Sequence, residues 1–262
     1  MYETMDEPIL KIEEYLARLG MGERPGADLA GLDALIWAHQ THVPFEDLNT
    51  SLYHEPVPLD IPALYDKVVV KRRGGYCFEL NALFTRLLKD LGFDARSVFC
   101  RVVRGRDFLP PSLHRGVVVK MGERLCFCDV GFGGPMPAGA LLIEDGWAGD
   151  VRGERFKIKR FDDCWWTMAR EDSRGAWEDI LQFNTFPQTP QEFIPANYMM
   201  STDPDSVFVK RVMVNLRTPD GHLSIDGDTF TRRAGADTVR EPIPDAEALR
   251  HVLKKWFDIT YF

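Results

Sequence analysis

Apolar residues recur at helical spacing through the first third of the chain. The recurrence at i, i+3 and i+4 begins near Ile9 and appears again in three later runs. Pro44 is expected to stop the second run, and Gly92 is placed to cap the fourth. Four amphipathic helices are therefore predicted, over residues 9–20, 29–43, 61–70 and 78–91.

Beyond residue 95 the pattern changes to short segments that are rich in β-branched and aromatic residues, which is typical of strands. The predicted strands cover 95–103, 116–120, 125–130, 155–158 and 164–168. The final third predicts two further strands, over 207–216 and 223–230, and a terminal helix over 245–256. Because no repeat or long linker separates these parts, we expect one compact α+β body.

Composition and charge narrow the class of protein. The chain has 262 residues, of which 45% are hydrophobic and 27% charged, so a soluble globular protein is expected. A formal net charge of -8 argues against nucleic acid as a partner, since phosphate binding requires a basic surface. No apolar run approaches the roughly 18 residues that a membrane helix needs. The first 20 residues carry too many acidic side chains for a signal peptide, so a cytoplasmic location with five reduced cysteines is expected.

The segment around Cys77 holds the clearest candidate chemistry. Gly74 and Gly75 free the backbone just before the fourth predicted helix, which places Cys77 in the first turn of that helix. Unsatisfied amides and the dipole of a helix N-terminus favour a thiolate, and they can also stabilise an oxyanion. By itself this position is equally compatible with a small buried structural cysteine.

A predicted hairpin supplies a base and an orienting acid. If Gly122 and Glu123 form a two-residue turn, Met121 opposes Arg124, and residue numbers on the two strands sum to about 245. His114 and Asp129 then lie on one face of the hairpin, close enough for a hydrogen bond. A one-residue bulge would break this arrangement.

The pattern of the other four cysteines does not indicate a metal site or a second catalytic site. Cys126 and Cys128 share a face, but no second pair of ligands accompanies them as a zinc site would require. We therefore expect no metal and no prosthetic group.

At these residues the sequence resembles the arylamine N-acetyltransferases. Residues 73–81, Arg-Gly-Gly-Tyr-Cys-Phe-Glu-Leu-Asn, are similar to the family's active-site signature. Residues 43–48 resemble its Pro-Phe-Glu-Asn-Leu segment, with Asp47 in place of the usual asparagine. Residues 129–134 match the segment that carries the family's aspartate, and residues 201–208 match a later block.

The resemblance implies a fold and a mechanism. It implies an N-terminal helical bundle (1–94), a central antiparallel β-barrel (95–195) and a C-terminal α/β lid (196–262), around a cysteine-protease-like core. It implies a catalytic triad of Cys77, His114 and Asp129, through which acetyl-CoA acylates the cysteine in a ping-pong reaction with an arylamine, arylhydrazine or similar amine. The acyl and acceptor pocket would be lined by Phe45, Val102, Phe132, Gly133 and Phe208.

The sequence departs from the family pattern directly after His114. His114 is followed by Arg115 and Gly116, where the family more often has bulky apolar residues.

Three functions remain open. The same triad would serve an acyl-CoA-dependent N-acyltransferase, an amide synthase acting on a carrier-bound acyl chain, or a cysteine hydrolase. Apolar residues around the site favour transfer, because transfer requires the exclusion of water.

Overall fold

The computed structural model describes residues 2–260, and its first region is mainly helical. A 3-10 turn (Glu3–Asp6) precedes the helices, and a π-helical segment (Asp66–Val70) continues the fourth of them. The elements in chain order are α1 (Ile12–Arg18), α2 (Leu29–His42), strand β1 (Phe45–Glu46), α3 (Leu48–Ser51), α4 (Ile61–Tyr65) and α5 (Cys77–Asp90). The four predicted helices are therefore confirmed, with the first one shorter than expected.

Capping residues explain where these helices begin and end. The side chain of Asp28 accepts the Gly31 N–H at 2.8 Å at the start of α2, and Asp60 caps α4 in the same way. Gly92 follows α5 with φ of 91°, a left-handed conformation that suits glycine at a helix C-terminus. Local sequence signals thus set the ends of the helix that carries Cys77.

The middle of the chain forms an eight-stranded antiparallel sheet. Its strands are β2 (Asp94–Val102), β3 (His114–Met121), β4 (Arg124–Cys128), β5 (Leu141–Leu142), β6 (Ala148–Val151), β7 (Glu154–Arg160), β8 (Trp165–Glu171) and β9 (Trp177–Asn184). Their hydrogen-bonded order is β5-β4-β3-β2-β9-β8-β7-β6. Within residues 2–260, β5 and β6 are therefore the two edge strands, and they do not pair with each other. The sheet is curled into a half-barrel, and the predicted barrel is not closed.

A second antiparallel sheet follows a 3-10 turn (Pro190–Phe193). Its region contains α6 (Ile194–Thr202), α7 (Val207–Lys210), β10 (Met213–Thr218), β11 (Gly221–Asp226), β12 (Thr229–Ala234), β13 (Asp237–Pro242) and α8 (Ala246–Phe257). The order of this sheet is β1-β10-β11-β12-β13. Strand β1, from the helical region, pairs with β10 through Phe45 and Asn215.

Two strand predictions in the last third are only partly confirmed, since residues 213–216 belong to β10, 223–226 to β11 and 229–230 to β12. The segment 207–216 begins as a helical turn, because Ser206 accepts the backbone N–H groups of Val209 and Lys210, each at 3.1 Å. The segment 223–230 is divided between β11 and β12, because Gly227 adopts φ of 62° and turns the chain back. In both segments the β-branched pattern was outweighed by local turn geometry.

The half-barrel packs on α5 with one face and encloses its own core with the other. Val117, Val119 and Cys128 belong to the core shared with the helices. Val118 and Phe127 alternate with them and point to the inner core, where Phe127 stacks on Phe183 with centroids 4.1 Å apart. The strand ends of β3 and β4 therefore lie beside the start of α5, where the candidate site forms.

Candidate active site

Cys77 is the first residue of α5, and close backbone packing holds it there. A Cβ atom on Gly74 would lie 1.9 Å from the Pro44 carbonyl oxygen, so this approach requires glycine. Glu79 accepts the Tyr76 N–H at 3.0 Å and thereby satisfies one free amide of the first turn. The Cys77 side chain is buried, with 2% of its surface exposed.

The predicted hairpin register is confirmed, and it joins His114 to Asp129. Met121 pairs with Arg124 and Val117 with Cys128, so opposed residue numbers sum to 245 as expected. The imidazole Nε2 lies 2.5 Å from Asp129 Oδ2, and both side chains are buried. The other ring nitrogen, Nδ1, is then left for the thiol.

Further hydrogen bonds fix the Asp129 carboxylate. Its Oδ1 accepts from the Asn81 Nδ2 amide and from the Gly131 N–H, each at 2.8 Å. Asn81 Oδ1 in turn accepts the Val130 N–H at 3.0 Å. Since Asn81 lies one helical turn after Cys77, it ties the helix to the segment that carries the acid. The role of Asn81 was not predicted, although it stands inside the signature segment and at i+4 from the cysteine.

The charges around His114 favour its protonated form, an imidazolium. Burial disfavours the charged ring, but Asp129 and Cys77 outweigh burial and raise the pKa of His114 to about 10. The Phe132 ring packs edge-on against the imidazole with centroids 5.4 Å apart. The raised pKa therefore favours the protonated form of the imidazole.

On the other side of α5 lies a group that we call the anchoring cluster: Glu46, Lys67, Arg73 and Glu79. Arg73 binds both Glu46 carboxylate oxygens at 3.0 Å, and Lys67 binds Glu79 at 2.7 Å. Burial disfavours the Glu46 carboxylate, but Lys67 and Arg73 outweigh burial and hold its pKa below the ordinary value. Two buried carboxylates are thus paired with two cations beneath the loop that leads into Cys77, although burial and Glu46 outweigh Lys67 and raise the pKa of Glu79.

The predicted pocket residues are only partly brought together. Phe45, Phe132 and Gly133 line a cavity of about 790 Å³ between the half-barrel and the β10–β11 hairpin. Gly133 is needed there, because a Cβ atom would approach the Phe45 ring to 2.7 Å. Phe208 lies outside the cavity wall and packs on Phe45, with centroids 6.1 Å apart. Val102 also lies outside the wall and packs against the half-barrel core, as Phe132 does.

Positive charge is concentrated in the same cavity. The arginines that line it are Arg104, Arg152, Arg170, Arg217 and Arg233, against the acidic residues Glu154 and Asp220. Arg170 and Arg217 both contact Glu154, at 2.6 and 2.8 Å. This local excess of positive charge was not predicted from a chain whose net charge is -8.

Comparison with known proteins assigns the family. A family model described as N-acetyltransferase matches residues 28–261. The arylamine N-acetyltransferase of Escherichia coli is 31% identical over 256 residues, which cover 96% of this chain and 89% of that protein. The chain belongs to the arylamine N-acetyltransferase family. The family and enzyme class predicted from the sequence are therefore confirmed.

Solved structures of this family share the fold. The arylamine N-acetyltransferase of Mycobacterium smegmatis gives a TM-score of 0.89 at 31% identity, covering 96% of this chain and 93% of that one. The Mycobacterium marinum enzyme, solved in complex with CoA, gives a TM-score of 0.87 at 28% identity, covering 95% and 92%. The mixed α/β architecture with its curled sheet is therefore that of the family.

The described part of the chain holds neither a cluster of metal ligands nor a membrane-spanning helix. Among residues 2–260, no three His, Cys, Asp or Glu side chains are grouped so that they could hold a metal ion. No helix within the same range combines the length and apolar character needed to cross a membrane.

Proposed function

We propose that this protein transfers an acetyl group from acetyl-CoA to an arylamine, arylhydrazine or similar amine through a thioester on Cys77. The observation that carries the proposal is that His114, which is hydrogen-bonded to Asp129 at 2.5 Å, also interacts with the side chain of Cys77 at the start of α5. The relatives named as arylamine N-acetyltransferases, one of them solved with CoA, support the choice of donor and acceptor.

In the first half-reaction the Cys77 thiolate attacks the acetyl carbonyl carbon. The developing oxyanion faces the first turn of α5, where backbone N–H groups have no intrahelical acceptor. The carbon–sulfur bond to CoA then breaks, and the His114 imidazolium gives its proton to the departing CoA sulfur.

In the second half-reaction the amine attacks the Cys77 thioester. Neutral His114 takes a proton from the amine, Cys77 leaves as a thiolate, and the acetylated amine departs. Asp129 holds the imidazole in one tautomer throughout and does not itself move a proton. Because CoA leaves before the amine reacts, the kinetics are ping-pong, and double-reciprocal plots at several acceptor concentrations should be parallel.

The surroundings of the triad support binding of both substrates. We assign the acceptor pocket to Phe45, Phe132 and Gly133, with Phe208 and Val102 behind them. The cavity that these residues line continues to a surface rich in arginine, whose guanidinium groups suit the phosphates of CoA. Nucleic acid and membranes are not among the proposed partners.

The division into a helical bundle (1–94), a barrel-like middle (95–195) and an α/β lid (196–262) around a cysteine-protease-like core is part of the same proposal. The pairing of β1 with β10 supports a lid that is joined to the helical region next to Phe45. All five cysteines are free, which supports a reducing compartment such as the cytoplasm.

Intact mass after incubation with acetyl-CoA, without an acceptor, tests the proposal. The wild type should gain one acetyl group, Cys77→Ala should gain none, and Cys164→Ala, at an exposed cysteine, should behave as the wild type. Release of CoA without an adduct would indicate a hydrolase. Acylation only by a carrier-bound chain would indicate an amide synthase, and transfer activity in Cys77→Ala would overturn the assignment.

A further inference from the structure

Arg115 is a buried cation whose charge the proposed mechanism does not use. It directly follows His114, and 3% of its surface is exposed. Its Nε and Nη2 donate to the Ser97 hydroxyl at 2.9 and 2.8 Å, and its guanidinium lies over the Phe193 ring, 4.4 Å from the centroid. Its Nη1 is buried and has no hydrogen-bond partner among the described residues.

A cation in such surroundings is costly unless an anion compensates it, because burial removes its hydration. The groups that contact the guanidinium, a hydroxyl and an aromatic ring, are both neutral. Burial accordingly lowers the pKa of Arg115 to about 9, although the negative charge of Cys77 and that of Asp6 oppose this effect. At neutral pH the side chain is therefore charged, and some anion must compensate it.

Asp6 is not suited to be that anion. It is half exposed, and its carboxylate already faces two other cations on α5, Arg86 at 3.3 Å and Lys89 at 3.0 Å. Water and these partners screen its charge from the buried guanidinium. Of the two negative charges that act on the guanidinium, the one that remains is that of Cys77, in the triad.

The triad also lacks charge balance by itself. In its proposed resting form it carries two negative charges, on the thiolate and on Asp129, and one positive charge on the imidazolium. In the acyl-enzyme the thiol and the imidazole are neutral, and the Asp129 carboxylate remains. One uncompensated negative charge is thus buried at every stage.

The backbone of Arg115 is tied to the same site. Asn81 Nδ2 donates to the Arg115 carbonyl oxygen at 2.5 Å and to Asp129 Oδ1 at 2.8 Å. The backbone of Arg115, on β3, is therefore tied to the same α5 side chain, Asn81, that binds the Asp129 carboxylate.

We propose that Arg115 is the buried counter-charge of the triad: its guanidinium balances the negative charge left on the catalytic groups and thereby favours the thiolate form of Cys77. It is a positioning residue that touches no substrate. The inference rests on the proposed thiolate mechanism.

The first test reads the ionisation of Cys77 by iodoacetamide alkylation against pH, with no acetyl-CoA present. Arg115→Gln keeps a polar side chain that can still reach Ser97 but removes the charge. Its alkylation midpoint should lie about one pH unit above that of the wild type, as expected for loss of one nearby opposite charge. Arg115→Lys should restore most of the shift.

Arg101→Met is the matched control, because it removes a charge from the neighbouring strand β2, where Arg101 packs on Trp165 at 3.7 Å. Its midpoint should remain at the wild-type value. A folded Arg115→Gln protein with the wild-type midpoint overturns the proposal. A wild type whose midpoint is that of an ordinary free cysteine instead overturns the thiolate mechanism, so the two failures are distinguishable.

A second measurement covers the case in which Arg115→Gln does not fold. In a Cys77→Ala, Asp129→Asn background the negative charges of the triad are absent, and Arg115 is left uncompensated. There Arg115→Gln should fold and should melt no lower than its parent. If Arg115→Gln lowers the melting temperature or prevents folding in that background as much as it does in the wild type, Arg115 has only a structural role and the proposal is wrong.

Discussion

Two buried groups of charged side chains lie on opposite sides of Cys77, and they are built differently. In the anchoring cluster each carboxylate faces a cation directly, at 2.8 Å for Arg73 with Glu46 and 2.7 Å for Lys67 with Glu79. In the proposed resting form of the triad the anions outnumber the imidazolium, and the further cation, Arg115, makes no hydrogen bond to Asp129. A balanced cluster holds the backbone in place, whereas an incompletely paired one leaves its protons able to move.

The largest effect is expected when Asp129 of the triad loses its charge. Asp129→Asn keeps the shape of the side chain but removes its charge, so it should lower turnover by about 10⁴-fold, as the corresponding change does in a serine triad. The alkylation midpoint of Cys77 should also rise, because a less stabilised imidazolium supports the thiolate less well. A folded variant with wild-type turnover and alkylation would show that Asp129 only caps the turn into Gly131.

The second prediction tests the anchoring cluster. Glu46→Gln deprives Arg73 of its bidentate carboxylate, and breaking a buried ion pair in this way costs about 3–5 kcal/mol of the free energy of unfolding. The melting temperature should fall accordingly, while the alkylation midpoint of the folded protein stays unchanged. A variant that shifts the midpoint without loss of stability would contradict the division of roles.

The exposed pair Arg72 and Asp258, 2.9 Å apart, is a control for that experiment. Arg72→Gln should change stability by less than about 1 kcal/mol, because water screens a surface ion pair.

The third prediction concerns pH and is best measured in Cys77→Ala, where the thiol does not titrate. With Cys77 removed, Asp129 is the remaining group that raises the pKa of His114 in the folded protein, relative to the value of about 6.5 for an unfolded chain. The stabilisation from the His114–Asp129 pair is therefore complete below about pH 6.5, and it is lost as the pH rises toward the folded pKa. The melting temperature of Cys77→Ala should thus exceed that of Cys77→Ala, Asp129→Asn most at low pH. A difference that grows from pH 6 to pH 9 would contradict this.

The smallest effect is expected at Asp47, next to the anchoring cluster. Its Oδ1 accepts the Met213 N–H at 2.8 Å, whereas its Oδ2 is buried and has no hydrogen-bond partner among the described residues. Burial, with a contribution from Glu46, raises the pKa of Asp47 well above the ordinary value. The folded protein therefore retains this proton longer than the unfolded chain does, and Asp47 lowers stability as the pH rises above about 4.

Asp47→Asn keeps the acceptor and removes the titration. It should raise the melting temperature at pH 7.5 by about 2–4 °C, which corresponds to about 1 kcal/mol in a chain of this size, and change it little at pH 4. Asp47→Ala, which loses the acceptor, should be less stable than the wild type. An equal effect of Asp47→Asn at both pH values would show that the carboxyl does not titrate as inferred.

Local signals in the sequence were sufficient for much of the fold. The helix that begins at Cys77, the hairpin register and the pairing of His114 with Asp129 all followed from periodicity, glycine positions and turn length. These features depend on residues close together in the chain, where backbone geometry leaves few alternatives. The strand predictions for 207–216 and 223–230 were only partly correct, because Ser206 and Gly227 impose turns that a strand pattern does not show.

The sequence by itself therefore determined the family and the helix that begins at Cys77, the proposed nucleophile. Only the tertiary structure decided the rest: the β1–β10 pairing, the cavity lined by arginines, the charge balance of the anchoring cluster and the burial of Arg115. The physical reason is that burial and charge pairing depend on residues far apart in the chain. Arg115 and Ser97 lie 18 residues apart, and Arg73 and Glu46 lie 27 apart. A charged residue in a sequence is by default a solvated one, and only packing shows which charges have lost their water.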